Sequence, residues 1–97
     1  MGTPLQNADV QKALVSLPGW TQIGPAIEKL YEFPNFVDAM VFVNKVAELA
    51  EEANHHPDIK IVYNKVTLQL VSHDSGGVTQ RDLRMAGRIN ELGREAV

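Results

Sequence analysis

The stretch between Ile59 and Leu70 constrains the fold most. Ile59, Ile61 and Tyr63 recur every second residue, Asn64-Lys65 intervenes, and Val66, Leu68 and Leu70 recur every second residue again. A period of two puts each set on one face of a strand. A two-residue turn at Asn64-Lys65 predicts the pairs Tyr63–Val66, Ile61–Leu68 and Ile59–Leu70. All six side chains then share a face, as a hairpin lying over a core requires. Asn tolerates the positive φ of such a turn, although Asn-Lys is a weaker turn signal than Asn-Gly.

Pro18-Gly19, Gly24-Pro25, Pro34-Asn35, Pro57 and Gly76-Gly77 divide the rest into short units. Asn7 to Leu17 reads as a helix with Asn7 as N-cap and Val10, Leu14 and Leu17 on one face. Trp20–Ile23 and Ala26–Phe33 flank Gly24-Pro25 and read as a hairpin, with Ile27, Tyr31 and Phe33 on one face and Lys29 interrupting it. Asn35 caps a helix from Phe36 to Ala53 whose predicted core stripe is Phe36, Met40, Val43, Ala47 and Ala50. Thr79 opens a helix to Leu92, with Asp82 in capping-box spacing and Leu83, Ala86 and Ile89 inward. Gly87 inside that helix costs about 1 kcal/mol against Ala, so close packing is expected there. The order αββαββα predicts an α+β fold, a four-stranded antiparallel sheet with three helices on one face. The length suits a single domain spanning residues 1–97.

Charge and composition exclude several functions. The net charge is −3 and no cluster of Lys and Arg stands out, which argues against a nucleic-acid partner or an anionic membrane. Cysteine is absent, so disulfides, thiolate catalysis and Cys-based zinc sites are excluded. No apolar run approaches the roughly 20 residues of a membrane span. Met1 to Gln6 has neither a basic nor an apolar region of the kind a secretory signal needs, so the cytoplasm is the expected location.

The chemistry must then lie with the histidines, His55, His56 and His73. Partners in the predicted ladder sum to 129, as do His56 and His73, so a continued ladder sets these two opposite one another. Glu51, four residues before His55, is placed to reach it along the helix. Three readings stay open on spacing alone. One is capping and surface polarity. A second is a zinc or iron site, for which adjacent His55 and His56 are poorly suited because consecutive side chains diverge. A third is acid–base catalysis without metal, for which imidazole, with an ordinary pKa near 6.5, is the fitting group.

Glu51, His55-His56-Pro57, Tyr63, His73 and Asp82, at these spacings, resemble the signature of the pterin-4a-carbinolamine dehydratase family. In animals that family also includes a dimerisation cofactor of a homeodomain transcription factor. The resemblance extends through Gly19-Trp20, Phe33 and Phe36, Tyr63-Asn64-Lys65-Val66 and Gly76-Gly77; Ser72 stands where many members have Thr. It implies a hydro-lyase that dehydrates 4a-hydroxytetrahydropterin to quinonoid dihydropterin for tetrahydrobiopterin recycling, with no metal and no cofactor. It also implies His55, His56 and His73 as the catalytic set. Our assignment gives His55 the N5 proton, makes His56 the acid at the leaving hydroxyl, and has His73 orient that hydroxyl. Two of these roles are exchangeable, because sequence does not order them.

Other positions follow from the same resemblance. Asn54, Ser72 and Asp74 flank the histidines as pterin contacts, with loop capping as the alternative. Glu51 either orients an imidazole, binds the pterin or does neither. Pro57 fixes the His pair. Trp20 either covers the ring edge or packs in the core, and Asp82 is read as a capping residue first and an electrostatic one second. A homodimer or homotetramer is implied, with Val62 and Val71 apolar enough to contribute to a buried outer sheet face. The alternative role is that of an assembly or transcriptional cofactor with little dehydratase activity.

Overall fold

A computed structural model describes residues 3–96, with side chains as far as Gly93. The expectation of no secretory leader rests in part on Met1 and Gly2, which lie outside the described residues. The elements are α1 (Asn7–Leu14), β1 (Thr21–Ile23), β2 (Ala26–Glu32), α2 (Phe36–Ala53), β3 (Asp58–Val62), β4 (Lys65–Leu70) and α3 (Gln80–Ala96). The four strands form one antiparallel sheet in the order β1-β2-β4-β3. β4 lies between β2 and β3 and pairs with both, so α2 carries the chain over the sheet from one neighbour of β4 to the other. The predicted fold class and element order hold. No helix among the described residues is long and apolar enough to cross a membrane.

One apolar cluster joins a single sheet face to all three helices. Ile27, Val66, Leu68 and Leu70 meet Val10 of α1, Phe42 and Val46 of α2, and Met85, Ala86 and Ile89 of α3. Phe42 is fully buried, its ring 4.6 Å from that of Tyr31 and 5.1 Å from that of Phe33. Aromatic contacts of this kind add to the burial of apolar area. Burial pushes the Tyr31 phenol up to about 12. Lys29, the interruption in the β2 stripe, keeps its ammonium satisfied by donating to Asn90 Oδ1 (2.8 Å) and to the Pro18 carbonyl (2.9 Å).

The β3–β4 register differs from the expected one. Ile59 faces Leu68 and Ile61 faces Val66, so partners sum to 127 and the turn is Tyr63-Asn64. Tyr63 takes φ +52°. The Asn64 amide is held by the Phe33 carbonyl at 2.8 Å, which fixes the turn one residue earlier than its sequence suggests. A shift of two in the sum leaves the faces unchanged, so the apolar side remains correct. Tyr63 itself leaves the stripe and is exposed, and Ile59 and Ile61 on the edge strand β3 are exposed as well, so only the β4 half of the expected stripe is buried.

The α2 stripe is also rotated. The residues turned inward are Ala39, Phe42, Val46, Leu49 and Ala50, while Phe36 and Ala47 are exposed and Met40 and Val43 only partly covered. The helix is apolar over more than half its circumference, so periodicity alone could not choose the face. Asn35 caps it as expected, accepting from the Asp38 N–H at 2.8 Å. In α1, Gln6 holds the cap position instead of Asn7, and residues 15–17 continue only as a tighter turn. Close packing falls at Gly93, where a Cβ would stand 2.7 Å from Tyr31 Cε1; at Gly87 it would make ordinary contact with Leu17 at 3.7 Å.

Candidate active site

The site begins where α2 stops. Asn54 adopts the left-handed conformation, φ 50° and ψ 44°. The His55 N–H reaches back to the Ala50 carbonyl (3.1 Å) and the Asn54 N–H to that of Glu51 (3.3 Å). These are the two bonds of a Schellman motif, and Asn is, after Gly, the residue that accepts its left-handed position. The chain reverses sharply there. His55 is turned into the protein and buried, whereas His56 stays exposed. Pro57 then bars any return to helix.

The reversal changes the partner of each imidazole. The expected Glu51–His55 pair does not form, because His55 has left the helical path. Glu51 meets His56 instead, with Nε2 to Oε2 at 2.6 Å and both side chains mostly solvent-exposed. His55 Nε2 lies 2.5 Å from Asp82 Oδ1, and Asp82 is completely buried. The other Asp82 oxygen accepts from Ser72 Oγ and from the Thr79 N–H, each at 2.9 Å. Half of the predicted capping box is therefore present, the bond from the Asp82 carboxylate to the cap N–H. The Thr79 hydroxyl turns instead to Ser72 Oγ, 2.8 Å away.

These contacts define proton positions. A carboxylate only accepts. With Asp82 ionised, His55 Nε2–H must donate, and the neutral ring carries its lone pair on Nδ1. Among the described residues no fully buried side-chain nitrogen or oxygen lacks a partner. Nδ1 of His55 has no partner among the described residues, so it keeps some access to solvent although the side chain is mostly buried. Ser72 Oγ spends its proton on Asp82 and therefore accepts from Thr79.

The Ser72–Gly77 bridge closes a turn that holds His73 and Asp74. Gly76 at φ +77° is required there. His73 is exposed, and its imidazole has no partner among the described residues. The ladder that was to set His73 against His56 does not extend this far: β3 begins at Asp58, β4 ends at Leu70, and the register is the other one. His73 is instead linked to the site through its neighbour Ser72, the ligand of Asp82. Asp74 pairs with Arg81 at 2.7 Å, and Arg81 Nε approaches Ser72 Oγ at 3.4 Å. Arg81 was not singled out from the sequence; its place beside Asp82 in a capping box was the only signal. Trp20 is buried, its indole donating to Asn90 Oδ1 at 3.0 Å. Asn90 lies eight residues along α3 from Asp82, roughly 12 Å, so the structure does not gather Trp20 with the histidines.

A cavity of about 210 Å³ opens beside His55, between the end of α2 and the start of α3. Leu49, Ala53 and Met85 give it apolar walls, and Arg81, Arg84 and Arg88 line it with His55. Among the described residues no group of three His, Cys, Asp or Glu side chains is arranged to hold a metal ion.

Residues 3–92 match the family model described as pterin 4 alpha carbinolamine dehydratase. A protein of Koribacter versatilis (strain Ellin345) that carries a pterin-4-alpha-carbinolamine dehydratase name is 62% identical over 92 residues, covering 95% of this chain and 98% of that one. A Brucella melitensis crystal structure described as a transcriptional coactivator/pterin dehydratase is similar with TM-score 0.90 and 32% identity, covering 94% of this chain and 99% of that one. A pterin dehydratase-like protein described as a RuBisCO assembly factor of the alpha-carboxysome shares the fold at TM-score 0.64 and 21% identity, over 76% of this chain and 86% of that one.

The two carboxylates predict unequal stability effects. Asp82→Ala strands the buried His55 and the Thr79 N–H and is expected to cost about 3 kcal/mol or more. Glu51→Ala breaks an exposed pair and is expected to cost about 1 kcal/mol or less. Equilibrium urea unfolding of both variants measures the difference; equal losses would contradict it.

Proposed function

The chain belongs to the pterin 4 alpha carbinolamine dehydratase family, and from that premise we propose that it dehydrates 4a-hydroxytetrahydropterin to quinonoid dihydropterin and water. The observation that carries this reading is the contrast between consecutive imidazoles. One is buried with its Nε2 held by Asp82, and the other is exposed on Glu51.

The elimination needs one base and one acid. His55 Nδ1 takes the proton from N5, and the N–H bonding pair becomes the N5=C4a double bond. The C4a–O bond breaks with its electrons going to oxygen, and protonated His56, held by Glu51, delivers the proton that makes the departing hydroxyl water. Asp82 stabilises the imidazolium formed at His55, as a buried carboxylate beside a histidine does in acid–base catalysis generally. His73, in the turn after Ser72, orients the hydroxyl. Solvent then restores both protonation states, which suits an open site. No step uses a metal or a cofactor. Asn54, Asp74 and Pro57 border the substrate; Ser72, fully buried, acts through Asp82, and Trp20, held by Asn90, packs in the core.

We place the enzyme in the cytoplasm, in tetrahydropterin recycling, as a homodimer or homotetramer within one domain over residues 1–97. β3 leaves one edge unpaired, and Val62 beside it, with Phe36, Val37 and Val41 on α2, exposes apolar surface. A second reading is a protein-binding role with little dehydration. The description of the Brucella melitensis relative and the exposed α2 face favour it, and the intact His–carboxylate pairs weigh against it.

Turnover of 4a-hydroxytetrahydropterin is expected for the wild type, with losses of about 100-fold or more in His55→Ala and His56→Ala. Unchanged rates in both variants would remove the assignment. Light scattering in solution is expected to give at least twice the chain mass, and a monomeric mass would contradict the oligomer.

A further inference from the structure

The cavity beside His55 has an unusual lining for an acidic chain. The net charge is −3, and the only arginines are Arg81, Arg84, Arg88 and Arg94. The first three line this cavity, and among the described residues no carboxylate does; Arg88 also borders a neighbouring cavity lined by Glu48, Glu52 and Glu91. Their spacing of three and four places them on one face of α3, over roughly 10 Å. Arg81 and Arg84 lie in the first turns of the helix, where the macrodipole opposes cations, so helix stability does not account for them.

Two of the three guanidinium groups are braced from outside the cavity. Arg81 is held by Asp74 and Arg88 by Glu52, at 2.7 and 2.9 Å. Arg84 stands between them with no partner among the described residues. The carbonyls of Ala50 and Glu51, which could otherwise receive a guanidinium at the end of α2, are occupied by the N–H groups of His55 and Asn54. Leu49, Ala53 and Met85 give the cavity apolar walls, while Arg84 and Arg88 stay accessible from solvent. A planar guanidinium fork matches the oxygens of phosphate or carboxylate.

We infer that this cavity is an anion subsite continuous with His55. It holds a phosphate or carboxylate on the side chain of the pterin whose ring reacts at His55. The inference deepens the pterin reading and rests on it. It predicts that substrates with an anionic side chain are preferred over neutral ones, with Arg84 supplying the preference and Arg81 and Arg88 framing the anion.

Calorimetric titration of the full chain with 6-hydroxymethylpterin, its monophosphate ester and inorganic phosphate tests this. The ester is expected to bind about tenfold more tightly than the alcohol, the effect of one charge-assisted bond. That ratio is expected to fall toward one in Arg84→Gln and to persist in Lys12→Gln, which removes the same charge from the exposed face of α1. Equal binding of ester and alcohol overturns the subsite and leaves the pterin reading standing, as does a preference that survives in Arg84→Gln. Inorganic phosphate binding that depends on Arg84, with neither pterin bound, supports the anion site and overturns the pterin reading. No binding of any probe overturns both.

Discussion

A buried carboxylate organises this molecule. Asp82 has no access to solvent, and its two oxygens are satisfied by His55, Ser72 and the Thr79 N–H. An unpaired charge in that position would cost several kcal/mol. The loop after α2, the end of β4 and the start of α3 are therefore held together by one side chain. The same contact that starts α3 aims His55, so the fold and the proposed base share a single anchor.

The difference between His55 and His56 comes from one backbone conformation. Asn54 turns left-handed, two orphan carbonyls of α2 are satisfied, and consecutive side chains diverge into different surroundings. His55 enters the protein and exchanges solvent for a carboxylate; His56 stays outside with a carboxylate that is more exposed still. Divergence of neighbours, which counts against a metal site, suits a reaction that needs an acid and a base at separate atoms. Arginine lines the cavity on the α3 side of His55, so a ligand would meet imidazole and guanidinium together.

Much of the fold was legible in the sequence. Strict alternation located β3 and β4, and Asn35 with the long apolar helix located α2. The rest was obscured for specific reasons. An Asn64 amide bonded to the Phe33 carbonyl sets the turn, a contact across thirty-one positions that local pattern cannot show. A helix apolar on more than one face hides which side is buried, so Phe42 was missed while Phe36 was chosen. At the site, His55 and Asp82 were each singled out but not paired with one another, as the structure pairs them. Glu51 was assigned to His55 by helical spacing, and the left-handed Asn54 that breaks this spacing leaves only a weak trace, an Asn before His-His-Pro. Arg81, Arg84 and Arg88 were not singled out, because their common cavity exists only once α3 packs beside α2.

The orientation of His55 is the claim on which the chemistry depends, and its tautomer tests it most directly. Long-range proton–nitrogen NMR correlation spectra of the protein labelled with nitrogen-15 histidine distinguish the two neutral forms. Neutral His55 is expected to carry its proton on Nε2, donated to Asp82, with Nδ1 unprotonated. A neutral His55 protonated on Nδ1 would contradict the account, because no lone pair would then face the substrate.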